Sequence, residues 1–169
     1  MAGQPEVWLR GAVVGVPAGL QPVAHALLWA LEDIEGLVPP LSMDELWARP
    51  GGAASVGFHV RHMTGALGRL FTYARGEPLT DDQRAALERE KDESLGEGAA
   101  ALLAGARAAV EAALEQLRRT DPATLDEARE VGRAKLPSTA RGLLMHGAEH
   151  AVRHAGQIAT TARIVRATA

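Results

Sequence analysis

The stretch GLQPVAHALLWALEDIEGLV, residues 19–38, decides the fold class. Within it Leu20, Val23, Leu27, Leu28, Leu31, Ile34 and Leu37 recur at three- and four-residue steps, the pattern of a helix that buries one face. Pro39 and Pro40 end it, because proline has no N–H to continue the ladder and its ring crowds the preceding turn. The same signature returns further along the chain. Ser55 is placed to cap a second helix, to about Arg75, whose apolar stripe is Val56, Val60, Met63, Leu67, Leu70 and Ala74. Gly76 and Pro78 follow in the usual order of helix-ending residues. A third helix over about 99–118 carries Leu102, Leu103, Val110, Leu114 and Leu117. A fourth begins after a cap at Ser138 or Thr139 and runs to about Arg166.

Between these long segments the signals are weaker. Ser42 followed by Asp44 and Glu45 suits a short helical turn, and Pro50-Gly51-Gly52 then breaks the chain. Thr80-Asp81-Asp82 opens a charged, partly helical stretch, and residues 120–137, with Pro122 and Gly132, read as mixed, a long connection with irregular parts. The expected architecture is therefore all-α, a four-helix bundle in a single domain over residues 1–169. Residues 1–17 form an N-terminal arm, and the core helices lie at about 19–38, 55–75, 99–118 and 138–166.

Composition agrees with this class and narrows the function. Hydrophobic residues make up 47% of the 169 residues but aromatics only 4%, with much alanine, the best helix former. The net charge of -3 carries no basic stripe, so a nucleic-acid partner is not expected. No apolar run reaches the length of a membrane span, and the N-terminus does not read as a signal peptide, so the expected location is the cytoplasm. The chain has no cysteine. Any metal must be held by imidazole and carboxylate, and any thiol chemistry must use a thiol brought in from outside.

The histidines are the candidates for chemistry. His59 and His62 lie in the second helix, and His146, His150 and His154 in the last. His150 and His154 are four residues apart and so stack on one helix face, the spacing that lets two imidazoles share one metal. The glutamate of a zinc protease helix is absent, since position 151 is Ala151. His146 and His154 are roughly 12 Å apart along the axis, too far to share an ion with bonds of about 2.0–2.1 Å. The third ligand must come from a facing helix. Both His59 and His62 are open to that role on the helical wheel, where His59 lies nearer the centre of the apolar stripe.

Two motifs, Ser55-Val-Gly-Phe-His59-Val-Arg-His62 and His150-Ala-Val-Arg-His154-Ala-Gly156-Gln157-Ile158, resemble the DinB/YfiT-like superfamily of metal-binding four-helix proteins. The segment from Leu46-Trp47 to Pro50-Gly51 fits the same pattern, and the resemblance runs from the end of the first helix onward. It implies an up-down-down-up bundle with a metal, usually zinc or nickel, held by one histidine of the second helix and two of the last. Carried over residue by residue, the ligands are His62, His150 and His154, and His59 becomes a pocket residue or a support behind a ligand. Gln157 is expected to support a ligand, and Tyr73, Arg69 and Arg153 to line the pocket.

Characterised relatives include isomerases and S-transferases that use mycothiol, glutathione or bacillithiol. The resemblance thus implies a metal-dependent, thiol-using transferase or isomerase acting on small electrophiles. A metal-dependent hydrolase is the rival enzyme reading, with Glu149 the nearest carboxylate in sequence although one residue round the helix from His150. A non-catalytic ligand- or metal-binding bundle is the other alternative. Homodimerisation is compatible with a bundle rich in small residues and is common among relatives.

Overall fold

A computed structural model describes residues 4–92 and 96–168. The first long helix, α1 (Gln21–Leu37), is entered through a 3-10 turn at Ala18–Leu20 and has Pro22 in its first turn, where a missing N–H costs nothing. Its buried face is Val23, Ala24, Leu27, Ala30 and Ile34. Leu28, Leu31 and Leu37 are only partly covered. The short helix α2 (Met43–Trp47) starts in a capping box, with Ser42 Oγ accepting from Glu45 N–H at 3.2 Å and Glu45 Oε2 accepting from Ser42 N–H at 2.8 Å. Gly51 and Gly52 then turn the chain with positive φ of 60° and 81°.

Helix α3 (Val56–Ala74) begins where expected, with Ser55 Oγ accepting from Phe58 N–H at 3.2 Å. The charged stretch forms α4 (Asp81–Arg89), capped reciprocally by Thr80 and Gln83. Helix α5 (Ala99–Arg119) buries Leu102, Leu103, Val110, Leu114 and Leu117, the leucine and valine positions of the expected stripe.

The connection to the last helix departs from the sequence expectation. Between its irregular parts, β1 (Ala128–Val131) and β2 (Leu136–Thr139) form an antiparallel hairpin that the mixed reading did not include, turned at Gly132 and Lys135, both with positive φ. Ser138 pairs with Arg129 and Thr139 with Ala128, so these two residues belong to the ladder and not to a helix beginning at 138. The last helix, α6, spans Ala140–Thr168, and of the two expected caps it uses Thr139, whose Oγ1 accepts from Gly142 N–H at 3.0 Å. The hairpin escaped notice because Arg, Glu, Lys and Pro at its positions are poor strand formers, and a partly exposed two-stranded ribbon tolerates them.

One hydrophobic cluster draws on all four long helices, and α1 and α3 each pack against both α5 and α6. Contacts give the directions. His59 of α3 meets His154 of α6, while Phe71 further along α3 lies against Gly147, so these two helices run antiparallel. Thr64 lies against Gly105 and Phe71 O accepts from Gln116 Nε2 at 2.9 Å, so α3 and α5 run the same way. The N-terminal arm is held to α1 by Arg10, which forks onto both carboxylate oxygens of Glu32, and it buries Val7 and Val16.

Two glycines of α6 make a test of this packing. A Cβ on Gly147 would lie 2.9 Å from Cε2 of the buried Phe71, whereas one on Gly156 would meet nothing within 4 Å. Gly147→Ala is expected to destabilise by about 1–3 kcal/mol, the cost of overpacking outweighing the better helix propensity of alanine. Gly156→Ala is expected to stabilise by about 0.5–1 kcal/mol, and denaturant midpoints of the two variants check both signs.

Candidate metal centre

The antiparallel pairing of α3 and α6 sets two histidine pairs face to face. His59 and His62 come one turn apart on α3, and His150 and His154 one turn apart on α6. His62, His150 and His154 each offer a ring nitrogen, and these atoms all lie within 4.8 Å of one another. Ring centroids are 4.4 Å apart for His150 and His154, 4.8 Å for His62 and His154, and 5.1 Å for His62 and His150. Nε2 of His62 is 3.1 Å from Nε2 of His150. The one histidine of α3 that enters the triad is His62, not the more central His59.

Glu90 sets the orientation of His62. Its buried carboxylate accepts from His62 Nδ1 at 2.7 Å and from the guanidinium of Arg69. Burial raises the pKa of Glu90, but the hydrogen bonds from His62 and Arg69 outweigh it and hold the carboxyl below its ordinary value. An ionised Glu90 can only accept, so the His62 proton resides on Nδ1 and the Nε2 lone pair faces the other rings. The chain around Glu90 is clamped to α3 at several points. Arg61 donates to the carbonyls of Glu90 and Asp92 at 3.2 and 2.6 Å and to Glu97 Oε2 at 2.7 Å. Trp47 donates to Glu97 O at 3.1 Å, and its ring lies under Arg61 at 4.7 Å. Two glycines make room: a Cβ on Gly65 would lie 2.5 Å from Glu90 Oε1, and one on Gly57 2.8 Å from the Trp47 ring.

His59 plays the corresponding part for His154. The two Nδ1 atoms are 3.0 Å apart and both rings are buried. When His154 Nδ1–H donates to His59 Nδ1, the Nε2 lone pair of His154 is left for the triad. Among the described residues His150 has no such support, its buried Nδ1 lacking a protein partner. Burial, more than any other cause, lowers the pKa values of this group. It acts with the neighbouring histidines and Arg153 to push His150 down to about 4 and His154 to about 3, and His59 is lowered by burial and by His62. His59, His150 and His154 are therefore neutral at pH 7 and have lone pairs to offer.

The sequence of the chain matches a known family. A profile of the DinB superfamily covers residues 26–158, from within α1 to the turn after His154. The chain belongs to the DinB superfamily. The match starts inside the first helix, earlier than the two histidine motifs alone suggested. No curated protein matches the chain.

The donor set of this DinB-superfamily chain fits a divalent ion. Bonds of about 2.0–2.1 Å in tetrahedral geometry place ligand nitrogens about 3.4 Å apart, close to the 3.1 Å between His62 and His150. Other residues singled out in the sequence fall in different places. Arg69 is buried and engaged with Glu90, so it supports His62 indirectly. Tyr73 is eleven residues beyond His62 on α3, about 16 Å along the axis, packed against the core and not brought to the histidines. Arg153 and Gln157 are exposed on α6 and line one cleft with His59. His146 lies outside the triad with Glu149 at 3.6 Å, and His25 bonds Gly11 O at 2.9 Å, far from the site in the chain. Glu90 was missed in the sequence because it ends a charged helix that reads as a solvated face.

Acid should loosen this core in the metal-free protein. A histidine held neutral when folded but titrating near 6.5 when unfolded gives the unfolded chain more protons, so stability falls as pH drops from about 6.5 towards 3–4. Glu90 acts in the same direction, its contribution being lost as pH falls through its lowered pKa. The expected slope is at most about 1.4 kcal/mol per pH unit for each buried ring. His154→Asn should flatten it by up to that amount in denaturation series run with a chelator present.

Proposed function

We propose that His62, His150 and His154 hold one divalent metal ion and that the chain is a metal-dependent enzyme. Its most fitting activity is a thiol-using S-transferase or isomerase reaction on small electrophiles. The observation that carries the reading is the convergence of three imidazoles from two helices, two of them already turned by buried partners. Three neutral ligands leave a bound cation its full charge and at least one open coordination position. Such an ion, when bound, supplies Lewis acidity, lowering the pKa of a thiol or water or polarising a carbonyl. Zinc and nickel both suit imidazole.

The residues of the chain hold and orient. Glu90 keeps the proton of His62 on Nδ1, and Arg69 keeps Glu90 ionised. His59 shares a hydrogen bond with His154, Nδ1 to Nδ1 at 3.0 Å, and fixes the plane of that ring. Phe58 stacks on His62 with ring centroids 5.5 Å apart and planes at 6°, covering one face of the ligand from water. A protein without cysteine needs its thiol from a small molecule such as mycothiol, glutathione or bacillithiol, as in relatives of this superfamily. The hydrolase alternative needs a free carboxylate as base. Glu149 is turned towards His146 and Glu90 is fully engaged, so neither is placed for that task.

Elemental mass spectrometry of the untagged protein should find close to one equivalent of zinc or nickel, lost in both His62→Ala and His154→Ala. A wild type that takes up neither metal after incubation overturns the reading. Glu90→Gln should weaken metal affinity by about 10–100-fold in chelator competition, because it disturbs the partner that orients His62. Metal-dependent consumption of a low-molecular-weight thiol in the presence of an electrophile would then separate transferase or isomerase chemistry from a non-catalytic bundle.

A further inference from the structure

Gly156 sits in the interior of α6 with an ordinary helical backbone, and a Cβ built on it meets nothing within 4 Å. It thus differs from Gly57, Gly65 and Gly147, where a neighbouring side chain fills the space. A glycine at such a position costs about 1 kcal/mol of helix stability relative to alanine, and neither backbone nor packing calls for it here. What it does is leave open the floor of a cleft of about 530 Å³. That cleft is lined by Arg153, Gly156, Gln157 and Thr160 of α6, with His59 and Ala54 opposite.

The chemistry of the lining has one sign. Among the described residues no carboxylate lines the cleft, whereas two clefts elsewhere on the molecule carry Glu115 and Asp121, or Glu77 and Glu130. Arg153 is exposed, and among the described residues it has no ion-pair partner. Gln157 stands four residues further on the same face, bringing an amide N–H beside the guanidinium. A guanidinium fork without a carboxylate of its own suits a planar or tetrahedral oxyanion, to which it gives two parallel hydrogen bonds.

We propose that this cleft binds the anionic end of a small ligand. A carboxylate or phosphate is held by Arg153 and Gln157 over Gly156, and the rest of the molecule reaches past His59 towards the histidine centre. The anion contact stands on the cleft alone, while the far end rests on the metal reading given above. The ligand class is a small organic acid or phosphate ester carrying its reactive group a few bonds from the charge.

The test is an NMR titration of the full chain with succinate, with inorganic phosphate and with uncharged 1,4-butanediol, in metal-free protein and after incubation with zinc. The expected result is saturable binding of an anion that shifts residues 153–160, with no such response to the diol. Preference for succinate assigns a carboxylate and preference for phosphate a phosphoryl group. Arg153→Gln should weaken the binding about tenfold or more, as loss of a charge-assisted pair requires. Gly156→Leu should abolish it by filling the cleft, with a denaturation midpoint no lower than that of the wild type. Absence of saturable binding by either anion, an equal response to the diol, or unchanged affinity in either variant overturns the proposal. Metal content measured on the same samples separates the two readings. Zinc bound without an anion site overturns this inference alone, and an anion site without zinc overturns the metal reading alone.

Discussion

A carboxylate taken out of water has to be met by donors or by charge, and at Glu90 both demands fall on α3. Arg69 neutralises it, His62 donates to it, and Gly65 provides the room for it to lie against the helix. Breaking such a buried arrangement by removing one partner costs several kcal/mol, because the remaining charge has nowhere to go. Glu90 and Asp92 after α4, and Glu97 before α5, are held on the bundle, with Arg61 and Trp47 as further clamps. The orientation of a histidine on one helix thus depends on a residue 28 positions away.

The four touching imidazoles meet the opposite constraint. Desolvation and repulsion from neighbouring histidines lower the pKa values of His59, His150 and His154, and rings packed at centroid distances of 4.4–5.2 Å have to share protons in a definite order. Glu90 settles that order at one end and His59 extends it at the other. With Glu90 on its Nδ1, His62 presents the Nε2 lone pair inwards before any cation arrives, which reduces the reorganisation needed on binding.

Much of this was legible in the sequence, and the reasons can be traced to particular residues. Periodic apolar positions such as Val23, Leu27 and Ile34 mark helices because the pattern reports burial of one face, and capping residues such as Ser42 and Ser55 act through local bonds. The His150–His154 pair was visible because i,i+4 spacing guarantees proximity on a helix. The choice of His62 over His59 was not visible on the wheel, where His59 is the more central residue; it came from the family resemblance. Glu90, Arg69 and the hairpin depend on contacts between distant segments, and nothing local distinguishes Glu90 from a solvated acid. Tyr73 had the right chemistry for a pocket but lies too far along α3.

The clamp at Trp47 also gives the molecule an optical property. Of its three indoles, Trp8 and Trp29 are substantially exposed, whereas Trp47 is part-buried between Gly57 and the Arg61 guanidinium, with its N–H on the Glu97 carbonyl. Its emission therefore senses whether the segment that carries Glu90 is seated, against a background from two indoles that are already in water. The protein contains its own fluorescent gauge of the state of the polypeptide behind His62, readable without a label and without a substrate.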